Sequence, residues 1–81
     1  MNIYVGNLPF STQAESLRQL FEKYGAVEEV RIISDRETGR PRGFGFVTMP
    51  NAGEARAAIA QIHGVTFEGR PLRVNESRPR R

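Results

Sequence analysis

Phe44 and Phe46 alternate with Gly43 and Gly45 in the run PRGFGFVTM, residues 41–49. Arg42 precedes them, Tyr4 lies near the start of the chain, and Arg31 and Arg73 fall in other extended stretches. These are the side chains here whose types could do recognition chemistry. A flat ring stacks on another flat ring, and a guanidinium pairs bidentately with a phosphate or stacks on an aromatic face. Covalent chemistry has much less to draw on. With one histidine and no cysteine, no nucleophile–histidine–carboxylate set assembles, and neither a disulfide framework nor thiolate chemistry is available. His63, near the end of a helical stretch, is expected to act as a cation at a helix dipole rather than as a metal ligand. Asp35 and Glu37 stand among arginines and are expected to order a loop rather than form an acid–base pair.

The chain has 81 residues, which is one domain with one small core. Its 38% hydrophobic and 26% charged residues are those of a globular protein. No apolar run reaches the roughly 18–20 residues of a membrane span. The start MNIYVGNL lacks the pattern of a secretory leader, so a location in the cytoplasm, or else inside an organelle, is expected. The net charge is +3, and of the twelve basic residues only Lys23 is lysine. That bias toward arginine suits phosphate and ring contacts, although arginines also serve simply to solvate a surface.

The elements that must position these groups follow from periodicity. Residues 2–6 alternate, with Ile3 and Val5 on one face and Asn2 and Tyr4 on the other, a short strand. Thr12 and Glu15 have capping-box spacing, and Leu17, Leu20, Phe21 and Tyr24 form one helical stripe. The first helix is therefore placed at 13–24, with Gly25 as a left-handed stop. AVEEVRIIS reads as a second strand, with Val30 and Ile32 on one face and Arg31 and Ile33 on the other. The loop after it, residues 36–40, either wraps over a ligand or is merely solvated. Strand three covers about 42–49. Asn51 and Glu54 predict a second helix whose buried stripe is Ala55, Ala58, Ile59 and Ile62, stopped at Gly64. VTFEG suggests a small hairpin, and RPLRVNE is the last strand, with Leu72 and Val74 inward and Arg73 and Asn75 outward. Phe10 and Phe67 are expected to plug the ends of the core.

The order β-α-β-β-α-β predicts an α+β, ferredoxin-like two-layer sandwich: a four-stranded antiparallel sheet, strand order 4-1-3-2, with both helices on one face. The domain is placed at 1–76, followed by a basic tail at 77–81 expected to be disordered. One sheet face is then open, and strand three must choose which of its sets to bury. Burying Phe44 and Phe46 would also bury Arg42 with no evident partner, at a cost of several kcal/mol. The opposite orientation buries Val47 and Met49, lets Gly43 and Gly45 admit a close helix, and puts three rings, Tyr4, Phe44 and Phe46, on the open face. Arg31, Arg42 and Arg73 border them, and Asn2 shares their side. Exposed rings beside guanidinium groups suit unstacked bases and phosphates.

RGFGFVTM resembles the octapeptide signature of the RNA recognition motif at Arg42, Gly43, Phe44, Gly45, Phe46 and Val47. It departs at Met49, which stands where the signature has an aromatic; by the alternation that position faces the core. IYVGNL, with Tyr4 as its ring, is similar to the family's hexapeptide, and GRPLRVNES also fits. The resemblance covers almost the whole chain. It is nearest to small stand-alone bacterial and cyanobacterial members, similar to plant glycine-rich RNA-binding proteins without the glycine-rich tail, and to chloroplast ribonucleoproteins. The resemblance implies single-stranded RNA as ligand, no metal and no cofactor; a monomer is expected. It also implies that Tyr4 and Phe46 stack on bases, Phe44 packs on ribose and Arg42 pairs with phosphate, while Asn75 and Glu76 read base edges. Three rival readings are single-stranded DNA binding, a protein-interaction module on the same fold, and a small acylphosphatase-like hydrolase. No anion-cradling loop with an Arg–Asn pair is evident for the last.

Overall fold

Alternating apolar residues need a dry surface on one side of each strand, and the two helical stripes supply it. The computed structural model describes residues 1–9, 12–34 and 41–77. Within them run β1 (Asn2–Gly6), α1 (Ala14–Glu22), β2 (Glu29–Ser34), β3 (Pro41–Thr48), α2 (Ala52–Ile62), β4 (Thr66–Phe67), β5 (Arg70–Pro71) and β6 (Arg73–Ser77). β2-β3-β1-β6 form an antiparallel four-stranded sheet, the expected order with β6 as the fourth main strand. β4 and β5 form the small hairpin. Glu68 and Gly69 make its two-residue turn at φ 50° and 88°, the left-handed pair that matches strand twist.

Both helices close one face of the sheet. Leu17 and Phe21 of α1 and Ala55, Ala58 and Ile62 of α2 share a core with Ile3, Val5, Val47, Met49, Leu72 and Val74. Tyr24, Ile59 and Phe67 pack on its rim, half-buried. Asn51 caps α2 as expected, its Oδ1 accepting from Glu54 N at 2.9 Å. Gly64, at φ 85°, ends the turn after α2.

Several local expectations give way to long-range contacts. Gln13, not Thr12, is the N-cap of α1, and no side chain caps that end. The Thr12 hydroxyl instead donates to Glu68 Oε1 at 2.7 Å, tying the hairpin to the start of α1. Gly25 does not have positive φ. Its bareness makes room for the Glu54 carboxylate, which a Cβ there would overlap and which accepts from Ala26 N at 3.3 Å. Gly45 admits no helix. The space a Cβ would need is filled by the Arg31 backbone carbonyl of β2, next to the irregular register between Ile32 and Ser34. Gly43 is needed for its φ of 84°. The last strand is broken at Leu72, because Pro71 has no N–H to extend the ladder and Leu72 N donates to Val65 O at 3.0 Å. β6 runs through Ser77, one residue past the expected domain edge. Phe10, Asp35, Glu37, the 36–40 loop and the tail at 78–81 lie outside the described residues.

Candidate nucleic-acid interface

Because the inward residues fix the register, the outward ones fall into rungs across the open face. The first rung is Glu29, Thr48, Asn2 and Ser77; the second is Arg31, Phe46, Tyr4 and Asn75. A third brings Phe44, Gly6 and Arg73 into line. Tyr4, Phe44 and Phe46 therefore meet at the centre of the sheet, outside the core cluster and on the side away from both helices.

The rings form a closed triangle. Tyr4 and Phe44 have centroids 5.9 Å apart with 29° between planes. Tyr4–Phe46 and Phe44–Phe46 are each 6.0 Å apart, at 66° and 88°. These are the offset and edge-to-face arrangements aromatic pairs prefer. Mutual packing leaves each ring half-buried, not fully bare to water as the sequence suggested. Faces and edges remain available above the sheet.

Gly6 is the residue that sequence reasoning passed over. Tyr4 and Gly6 point to the same side, and a Cβ on Gly6 would come within 2.8 Å of the Tyr4 ring carbon Cε2. The missing side chain lets Tyr4 lie along β1 toward Phe44. Same-face spacing at i and i+2 was the available signal.

The polar border is partly committed. Arg31 is exposed beside Phe46, but its Nε donates to Glu29 Oε2 at 2.7 Å, so the guanidinium is shared with a neighbour two residues away. In solvent such a pair is weak. Arg73 and Asn75 are exposed on β6. Asn2 Oδ1 accepts from the Thr48 hydroxyl at 3.0 Å, leaving its NH2 as donor. Glu76 stands opposite Ile3 in the register, so its carboxylate belongs to the helix-side set and does not join the rings. Arg42 lies in β3, but its side chain lies outside the described residues. His63 also departs from expectation: its Nδ1 accepts from Val74 N at 3.0 Å, so that nitrogen carries no proton and the ring serves as an acceptor, not as a helix-end cation.

Among the described residues there is no cluster of three or more metal-type ligands, and no helix is long and apolar enough to cross a membrane. The sequence matches the model of the RNA recognition motif over residues 3–73. A 28 kDa chloroplast ribonucleoprotein of Spinacia oleracea is 54% identical over 81 residues, covering 98% of this chain; the chain spans only 35% of that relative's length. The putative RNA-binding protein RbpA of Nostoc is 48% identical over 80 residues, covering 99% of this chain and 78% of the relative. Among solved structures, RNA binding protein PG1 superposes with a TM-score of 0.95 at 51% identity, covering 100% of this chain and 98% of that one. A Sxl-lethal protein/RNA complex superposes at 0.85 and 41%, covering 91% of this chain and 46% of its own. With the fold, the ring-bearing strands and both signature segments in place, the chain belongs to the RNA recognition motif family.

Proposed function

We propose that this chain is a non-catalytic module that binds single-stranded RNA across the open sheet face, acting in the cytoplasm as a monomeric RNA chaperone or post-transcriptional regulator. The observation that carries the reading is the triangle of Tyr4, Phe44 and Phe46, centred on the helix-free side with about 6 Å between rings. Bases splayed out of a single strand stack on such rings, each for roughly 1–3 kcal/mol. Tyr4 and Phe46 take bases, and Phe44 takes the ribose between them. Arg31, Arg42 and Arg73 meet phosphates, and Asn2 and Asn75 offer hydrogen bonds to base edges. Glu76 contributes through its main chain, given the side its carboxylate takes. The printed names of similar proteins, a putative RNA-binding protein and a protein/RNA complex, support RNA as the ligand.

Two or three stacked bases correspond to an affinity of about micromolar. The test is a titration of the protein with a short single-stranded RNA and with DNA of the same sequence, at several salt concentrations. Micromolar RNA binding that weakens with salt is expected, the logarithmic slope being roughly −0.7 for each phosphate contacted. Tighter binding to the DNA would reassign the ligand, and no saturable binding to either would overturn the reading.

A further inference from the structure

The strand order puts β2 and β6 at the two edges of the sheet, and the chain finishes these edges differently. An edge strand turns the N–H and C=O groups of every second residue away from its neighbour, a template for a further strand. On and beside β6 such groups are occupied. His63 Nδ1 accepts from Val74 N at 3.0 Å, and the chain after α2 holds Leu72 twice, Gly64 N donating to Leu72 O at 2.8 Å and Leu72 N to Val65 O at 3.0 Å. On β2, among the described residues, no side chain bonds to the main chain and no strand but β3 pairs with it. The nearest cover, Arg18 Nη1 on Val27 O at 3.1 Å, stops short of the strand.

The side chains of β2 complement a second β2. Glu29 and Arg31 are exposed on the open face and joined at 2.7 Å, and Val30 between them packs half-buried on the core side. A second copy brought up about a two-fold axis through Val30 runs antiparallel. Val30 then meets Val30, and Glu29 of each copy lies directly opposite Arg31 of the other. Four charges alternate in sign around a square, a network where the lone pair is weak. Residues opposite each other share a face of the sheet, so the axis must pass through a residue. Moved to Arg31, it sets two guanidinium groups against each other; moved to Ile32, it sets Arg31 against Ile33. Charge complementarity selects Val30.

We propose that β2 is a pairing edge for a second copy of this chain, engaged when two copies sit on one RNA. The strand has six residues, far too short an edge for the roughly 1,200–2,000 Å2 of a stable interface, so the free chain stays a monomer. An RNA that holds two copies raises their effective concentration and makes the weak contact count. The pairing joins two four-stranded sheets into one. Its axis stands perpendicular to the sheet, so both ring triangles face the same side, about 20 Å apart at the usual strand spacing. The axis also reverses one copy against the other. RNA segments on the two platforms therefore run antiparallel, the orientation in which complementary strands pair, and a single strand must turn back to fill both. The inference rests on the platform reading and adds a second copy to it.

The test titrates the protein with a random-sequence RNA of about four nucleotides, enough for one copy's rings, and with one about five times as long, which has slack to turn back. On the longer RNA the second copy is expected to bind about tenfold more tightly than the first, as two cross-strand ion pairs and a valine pair imply. Amide hydrogen exchange in β2 is expected to slow only in the complex of two copies with one long RNA. The short RNA is expected to shift the ring resonances without slowing β2. Glu29→Arg alone, or Arg31→Glu alone, sets like charges across the axis and should abolish the tenfold enhancement. An equal mixture of the two variants should restore it, because each then faces its opposite. Two copies that bind the long RNA independently, with β2 exchanging as in the free protein, would overturn the pairing and leave the platform intact. Enhancement that survives in Glu29→Arg would overturn the pairing register. Slowed β2 exchange with one copy per RNA would assign the edge to RNA instead. Failure of both RNAs to shift the ring resonances would overturn the platform as well.

Discussion

The two faces of the sheet are built from the same strands and obey opposite rules. On the helix side, Ile3, Val5, Val47 and Val74 are fully buried, aliphatic and interlocked with Phe21 and Leu17. On the open side, Tyr4, Phe44 and Phe46 are half-buried and pack on one another, and Asn2, Arg31, Thr48, Arg73 and Asn75 share their rungs or the neighbouring one. The dry face secures the register, because a slip of one residue would turn every apolar side chain into water. The wet face inherits that register and uses it to bring together rings from β1 and β3. If RNA binds on the open face as proposed, stability and recognition are divided between alternate residues of the same strands, and substitutions should separate them.

The largest effect is expected from Phe44→Ala with Phe46→Ala. Losing two stacking rings at roughly 1–3 kcal/mol each should weaken RNA binding on the order of a hundredfold or more, with the thermal midpoint little changed. Phe21→Ala should do the reverse. It removes the largest fully buried side chain and should cost about 3–5 kcal/mol, much of the roughly 4–12 kcal/mol available to a domain of this size. Denaturant unfolding measures it, and RNA affinity of the remaining folded fraction should be near normal. Gly45→Ala should blur the division, because its methyl group collides with the Arg31 carbonyl and forces β2 away from β3. A loss of about 1–3 kcal/mol in stability is expected, with weaker RNA binding beside it. Gly6→Ala sharpens the comparison again. It pushes the Tyr4 ring off its seat and should lower RNA affinity a few-fold while unfolding moves by less than about 1 kcal/mol. The smallest effect is expected from Arg73→Gln, a uniform weakening across RNA sequences that reduces the magnitude of the salt slope by about 0.7.

How far each face was legible follows from the range of the contacts. Alternation in β1 and β6, the helical stripes and the problem of burying Arg42 were enough to orient the rings, since each is a rule about neighbours in sequence. Asn51 as a cap was legible for the same reason. Thr12 was misread because its partner, Glu68, lies 56 positions away. Gly25 and Gly45 were assigned to a helix stop and a helix contact, when the atoms that exclude a side chain belong to Glu54 and Arg31. His63 looked like a cation at a helix end because nothing local reveals that the edge of β6 needs an acceptor there. Spacing marks which residues are bare, polar or ringed. Only the packed chain decides what each of them meets.

The account stands most directly on proton contacts between RNA and the three rings. In a saturated complex, intermolecular nuclear Overhauser effects are predicted from base and ribose protons of the RNA to the rings of Tyr4, Phe44 and Phe46. Saturable RNA binding that left those rings unperturbed, with its contacts on the outer faces of α1 and α2 instead, would contradict it.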